Sequence, residues 1–281
     1  MILNDDRDYQ ILFLGAFLLL GIFTRDWTIK PALIGVIVVS CLVTQLILTA
    51  LVTRQKIFVF QKGWFNYFIN PLFIASWRSA LITALGLCLL LRGNDYRTMI
   101  LAGSLAIASK FIFRVNNKHF FNPANFGIIA ALTLTNDAWV SPGQWGTDWW
   151  YLLLFLGTGG MILKRVGRWE TSAVFLGVYA LLEGIRNLWL GWSWDVLEHH
   201  LMSGSLLLFA LFMLTDPRSI PNHRLSRLVW AIALAGVAFM LQHSFYLSTA
   251  IFWALFLLSP LTILLDYWQK APRFSWLIVD C

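Results

Sequence analysis

Residues 31–53 read PALIGVIVVSCLVTQLILTALVT, an apolar run that no charged side chain interrupts. A helix of roughly 20 such residues matches the hydrocarbon thickness of a bilayer. A helix that is apolar on every side cannot sit on the surface of a soluble domain. The run therefore places the chain in a membrane, and the composition extends that conclusion to the whole sequence. Of its 281 residues, 59% are hydrophobic and 12% charged, and the mean hydropathy is +0.70. A soluble domain carries about 25% charged residues. Disordered, coiled-coil, collagen-like and disulfide-rich secreted classes fail on the same figures. The net charge of +7 reads as membrane topology, so lipid is the expected partner and nucleic acid is not.

Working outward, ten apolar stretches qualify as spans: 9–23, 31–53, 78–92, 98–113, 121–135, 149–163, 170–190, 197–214, 228–243 and 247–266. Several are short, which is how discontinuous helices appear in sequence. Segment 64–77 is left over and reads as an interfacial or re-entrant piece. With the N-terminus in the cytoplasm, sixteen of the 21 lysines and arginines fall inside, and only Arg25, Lys30, Arg92, Arg97 and Arg186 fall outside. That asymmetry predicts a bacterial-type cytoplasmic membrane with both termini on the inner side. Trp139, Trp145, Trp149, Trp150, Trp189, Trp192 and Trp194 then form an outer aromatic belt. The start MILNDDRDY is acidic, unlike a cleaved leader, so the first helix is expected to be retained.

Ten spans with both ends inside divide into two five-helix halves of opposite orientation, roughly 1–135 and 149–281, within one polytopic domain. Such inverted repeats place a site near the midplane. Cys41, Cys88 and Cys281 share no CxxC spacing, so no metal site is expected from them.

Two small-hydroxyl motifs occupy the third span of each half: Ser79 and Thr83, at i and i+4, and Ser203-Gly204-Ser205. They serve either close helix packing or a polar site inside hydrocarbon. Asn122-Pro123-Ala124-Asn125 carries the marks of an asparagine-capped helix start, with Arg114 and Lys118 nearby; it is either a site where exposed amides attract anionic groups or a capped loop with positive-inside charges. Asp216-Pro217 marks a helix end, and Asp216, Arg218 and Arg224 either brace that loop or serve a site. Glu183, a carboxylate in an apolar run, is either an ion-pathway residue or the local partner of Arg186 at i+3. His199, His200 and His243 fall at the outer face. A bis-histidine haem is conceivable there, with at most one of the adjacent pair facing His243, and interfacial hydrogen bonding is the plainer reading.

The strings SALITALG (79–86), FNPANFG (121–127) and HLMSGSLLLFALFMLTDPRSIP (200–221) occur in that order in membrane stretches. In this the chain closely resembles a group of membrane proteins: the B subunit of the sodium-translocating NADH:quinone reductase and the D subunit of the Rnf electron-transport complex. The resemblance implies an all-α, ten-helix, urea-transporter-like fold of inverted halves with short or broken helices. It also implies partner subunits that pass electrons through flavins and move ions. By position, Ser79, Thr83, Ser203, Gly204 and Ser205 would line the paired midplane region, with Asn122, Pro123, Asn125 and Asp216 in the two loops.

Members of that group carry covalent FMN on a threonine in a serine-glycine-alanine-threonine motif. Here the corresponding stretch reads NDAWVSPGQWGTDWW, 136–150, where Thr147 lacks that setting. The expectation is a divergent subunit with a non-covalent flavin (FMN or riboflavin) or a quinone. The alternatives are a transporter or channel for a small solute or ion that kept the fold without the flavin, and an assembly subunit with no redox group.

Overall fold

Proline and acidic residues begin the early helices of the computed structural model, which describes residues 5–24, 30–57, 71–141 and 149–274. Helix α1 (Asp6–Thr24) carries Asp6 and Asp8 in its first turn, where carboxylates complement the helix dipole. Both α2 (Pro31–Ile57) and α3 (Pro71–Leu90) open on proline, whose missing N–H costs nothing at that position. Asp95 caps α4 (Tyr96–Ile112) by accepting the Arg97 N–H at 2.8 Å. The later helices are α5 (Pro123–Leu134), α6 (Trp149–Val166), α7 (Trp169–Leu190), α8 (Trp194–Leu201), α9 (Gly204–Leu208), α10 (Arg224–Ser244), α11 (Ala250–Leu258) and α12 (Leu261–Trp268).

Helices thus occupy each of the ten apolar stretches, with one boundary corrected. Helix α3 already begins at Pro71, so residues 71–77 continue the following span and are no separate interfacial piece. The 64–70 part of that expectation lies outside the described residues, as do Thr147 and Trp145. Pro31–Val52, Trp169–Leu190 and Arg224–Ser244 are each long and apolar enough to cross a bilayer. Among the described residues, two bent pairs raise the number to as many as five: α8 with α9 and its continuation (45°), and α11 with α12 (44°). Pro260 explains the second bend, because its ring cannot continue the hydrogen-bond ladder. The first lies at Met202 and Ser203, between α8 and α9; beyond it α9 passes into a π-helical turn, Phe209–Met213, closed by Leu214 N–H on the Phe209 carbonyl at 2.8 Å. Leu181, Ile185 and Leu188 expose one continuous apolar stripe of α7, as a lipid-facing surface requires. This is an integral membrane protein.

The chain divides into two compact units. In the first (the described residues up to 113, with 126–139), α2 packs on α4 and α3, and α1 packs on α3. Its core holds Ile37, Cys41, Ala84, Leu87, Met99, Ala102 and Ile128. Gly127 is needed here: a Cβ would stand 2.6 Å from the Ala102 carbonyl oxygen and 2.8 Å from the Ala106 methyl. In the second unit (residues 114–125 and 140–274), α10 packs on α7 and α11. Phe209 of the π turn meets Phe175 at 5.4 Å and Phe252 at 5.6 Å between ring centres. Trp230, fully buried, donates its indole N–H to the Leu258 carbonyl at 3.0 Å.

Candidate functional site

The loop at 114–125, in the second unit, turns on two asparagines. Asn116 and Asn117 both adopt positive φ (51° and 66°), the backbone that a two-residue hairpin turn requires and that asparagine tolerates. The hairpin pairs Arg114 with His119 and Val115 with Lys118. It thereby delivers Lys118 and His119 to fixed partners. Lys118 Nζ donates to Asp266 Oδ2 at 2.5 Å and to the Ile220 carbonyl at 2.7 Å. Burial pulls the Lys118 pKa below the ordinary ammonium range, against the upward pull of Asp266. His119 Nε2 lies 3.3 Å from Asp216 Oδ2.

Beyond the hairpin, Asn122 uses both ends of its carboxamide. Its Oδ1 accepts the Asn125 N–H at 3.0 Å, capping α5, and its Nδ2 donates to the Met213 carbonyl at 3.0 Å. Asn125 donates to the Phe252 carbonyl at 3.1 Å, while its own Oδ1 is buried with no hydrogen-bond partner. Two strings distant in sequence, FNPANFG and FALFMLTDP, are therefore joined at the π turn by the bond from Asn122 to the Met213 carbonyl, while Asn125 ties the first of them to α11. Asp216 also accepts the Arg218 N–H at 3.2 Å. Arg168 bonds the Pro217 and Pro221 carbonyls at 3.3 and 3.2 Å, and burial, followed by the nearby Arg227, brings its pKa down to about 10. Asn122 caps the helix through the Asn125 amide, and Lys118 is paired with Asp266, the arrangement of the capped-loop alternative.

A second cluster in the same unit surrounds Glu183, which is 4% exposed. The expected pair with Arg186 does not form. His243 Nε2 lies 2.7 Å from Oε1, and His200 Nδ1 lies 3.8 Å from Oε2. The Arg186 guanidinium stacks 4.7 Å above the Trp192 ring instead. The reason is geometric: α10 brings His243 directly onto the buried face of α7, while Arg186 turns onto Trp192 beyond the helix end. Tyr179, one turn earlier on α7, donates to Gln242 Oε1 at 2.6 Å. Beside these residues opens a pocket of about 220 Å³ lined by Tyr179, His199, His200, Ser203, Ser205, Gln242 and Ser248. Ser203 and Ser205 share a hydrogen bond of 2.9 Å across Gly204, the first residue of α9. Of the two adjacent histidines, His200 reaches the cluster that holds His243, through Glu183. That carboxylate already occupies the His243 Nε2 that the haem alternative would use.

Ser79 and Thr83 belong to the first unit. Thr83 donates back to the Ser79 carbonyl at 2.9 Å, and the buried Lys110 donates to both the Ser79 carbonyl and its hydroxyl at 3.1 Å. Sequence reading missed Lys110 as a partner of this motif, and likewise Tyr179, Gln242 and Asp266. Each pairing joins residues far apart in the chain. Only the isolated charge of Asp266 in an apolar stretch gave a signal.

Bent spans, a π turn held by an asparagine loop, and a buried carboxylate among histidines define a polytopic helical membrane protein. The family model described as the NQR2, RnfD, RnfE family matches residues 44–275. The chain belongs to that family. It is 32% identical over 122 residues to the D subunit of the ion-translocating oxidoreductase complex of Halorhodospira halophila, a match covering 43% of this chain and 34% of that protein. The D subunits of the same complex from Stutzerimonas stutzeri (32% over 120 residues, 41% of this chain and 32% of theirs) and Vibrio atlanticus (27% over 143 residues, 51% and 40%) are similar too. The chain thus spans about a third of the length of the curated relatives it matches.

Proposed function

We propose that the chain is a membrane subunit of an ion-moving electron-transfer assembly, working with other membrane or redox subunits. The observation that carries this reading is the docking of Asn122 and Asn125 onto the carbonyls of Met213 and Phe252. Two loops that mark the family by sequence act here as one device, which favours a retained family role. In this reading ten helices cross the membrane in two inverted halves, with both termini cytoplasmic. Ser79, Thr83, Asn122, Pro123, Asn125, Ser203, Gly204, Ser205 and Asp216 shape the binding regions, and Glu183 serves the ion pathway.

The donor set supports a non-covalent redox group. Hydroxyls of Ser203 and Ser205 and the imidazoles of His199 and His200 face the pocket, and suit the carbonyl edge of a flavin or quinone ring. Asn122 and Asn125 fit such a group less well, because backbone carbonyls already take their amide donors. A bound flavin or quinone would supply electron carriage; the chain's own groups would orient it and manage protons.

An absorbance spectrum of the gently purified assembly, taken before and after acid precipitation, tests the proposal. Flavin released to the supernatant, with redox subunits co-purifying, is the expected result. A colourless chain without partners overturns it in favour of solute transport, for which flux into liposomes is the direct assay.

A further inference from the structure

We infer that Glu183 is a proton-exchanging carboxylate, with His243 as its proton partner and His200 as its link to the neighbouring pocket. The inference rests on the ion-pathway reading of Glu183 and commits that pathway to one ion.

Three observations carry it. Glu183 is almost fully buried, yet its contacts are imidazoles rather than a guanidinium or ammonium that would fix it as a permanent ion pair. A carboxylate held by histidines inside a membrane helix is the arrangement of a proton relay. Secondly, the ligand chemistry suits no alkali or alkaline-earth cation. Such ions are bound by several oxygen atoms, whereas Glu183 is met by nitrogen on both of its oxygens. A transition metal would need the imidazole nitrogens to converge on one point. Here each goes to a separate carboxylate oxygen, and no cluster of three or more potential metal ligands occurs among the described residues. Thirdly, there is a way in and out. His200, with a side chain 36% exposed, lines the pocket and stands 3.8 Å from Glu183 Oε2, one side-chain adjustment short of a hydrogen bond.

The transfer itself is simple. A proton on His243 Nε2 passes across 2.7 Å to Glu183 Oε1, breaking one N–H bond and forming one O–H bond. A half-turn of the carboxyl about Cγ–Cδ then carries the O–H toward His200, and the proton passes to His200 Nδ1, breaking that O–H bond and forming one N–H bond; the imidazolium so formed releases a ring proton to the pocket. Facing Glu183 are His243 from α10, His200 from α8 and, on its own helix, Tyr179, whose hydroxyl is engaged by Gln242. Arg186 is held on Trp192, and His199 lies in the pocket lining.

The test is isotope-edited infrared spectroscopy of the full chain in lipid nanodiscs, with carbon-13 in glutamate. The sequence holds only three glutamates, Glu170, Glu183 and Glu198, so assignment is direct. The expected result is a protonated-carboxyl band that grows as pH falls, disappears in Glu183→Gln, changes midpoint in His243→Gln, and is indifferent to exchanging sodium for potassium. A carboxylate that never titrates overturns the inference, as does a titration that sodium displaces at fixed pH. Should Glu183→Gln fail to insert, Glu183→Asp serves in its place, and there the labelled band must vanish. Because the chain is measured alone, a failure here leaves the subunit role standing. Absence of redox partners would equally leave the titration intact.

Discussion

Asn122 shows how much one side chain can decide in a buried setting, where an unmade hydrogen bond finds no water. It caps α5 and ties the π turn, two bonds of 3.0 Å from one carboxamide. An N-cap is worth about 1 kcal/mol and a further buried bond about 1 kcal/mol. Asn122→Ala is therefore expected to lower the unfolding free energy by about 2 kcal/mol in mild detergent. Asn122→Asp, which keeps the cap and loses the donor to Met213, should fall between, and thermal unfolding followed by intrinsic fluorescence ranks the three. At Gly127 the limit is space. A methyl 2.6 Å from the Ala102 carbonyl forces helices apart, so Gly127→Ala should cost about 1–3 kcal/mol by the same measurement. The sequence disclosed both residues, since a proline-flanked asparagine and a glycine in a span carry local signals. The acceptor at Met213 and the close neighbour at Ala102 were invisible, because nothing local specifies which distant part of the chain a residue will meet.

At the scale of elements, the short connections carry as much information as the helices. Asp137, in the connection after α5, accepts the backbone N–H groups of Asn94 and Asp95, each at 2.8 Å. Those amides, Asp95 first, hold its carboxyl below the ordinary aspartate range. A depressed folded-state pKa stabilises the fold above the unfolded value, about 4, and the contribution fades as pH falls through the lower folded value. Thermal midpoints measured from neutral to acid pH should therefore decline less steeply in Asp137→Asn than in the wild type. A steeper decline would contradict the assignment. The helix positions themselves were legible from apolar runs, because each apolar stretch found its helix. The start of α3 was not, since residues 64–77 mix aromatic and polar side chains and give no period. The partners of Glu183 were not legible either: a local i, i+3 arginine competes in sequence with a histidine 60 residues away, and only packing selects the histidine.

For the molecule as a whole, the second unit is braced by two ion pairs that sequence distance conceals, Arg227–Glu170 buried and Lys118–Asp266 half-buried. Lys118 meets Asp266 across 148 residues, and Arg227 meets Glu170 at 2.5 Å across 57. Removing one member of such a pair strands the other charge, at about 3–5 kcal/mol, whereas replacing both can be nearly neutral. Lys118→Met and Asp266→Leu are thus each expected to destabilise strongly, and the double variant to recover much of the loss in a double-mutant cycle. Additive losses would show that the pair does not act as a unit. The brace also explains why the hairpin and helix α12 travel together in the fold although a sequence reader assigns them to opposite halves.

The π turn at Phe209–Met213 has a bearing on how this chain tolerates change in length. A π turn holds one residue more than the α-helical ladder would take over the same span. Excising a single residue there would wind the segment back into regular helix over the same span and leave the elements downstream in place. A further inserted residue has no such outlet and would rotate everything downstream by about 100°, turning the Met213 carbonyl away from Asn122 and Asp216 away from His119. Substitutions that preserve the apolar character of these five positions should be absorbed, as should a one-codon deletion, while a one-codon insertion should uncouple two loops whose own residues are untouched. In this stretch the reading frame of the helix, more than the identity of its side chains, is what the loops depend on.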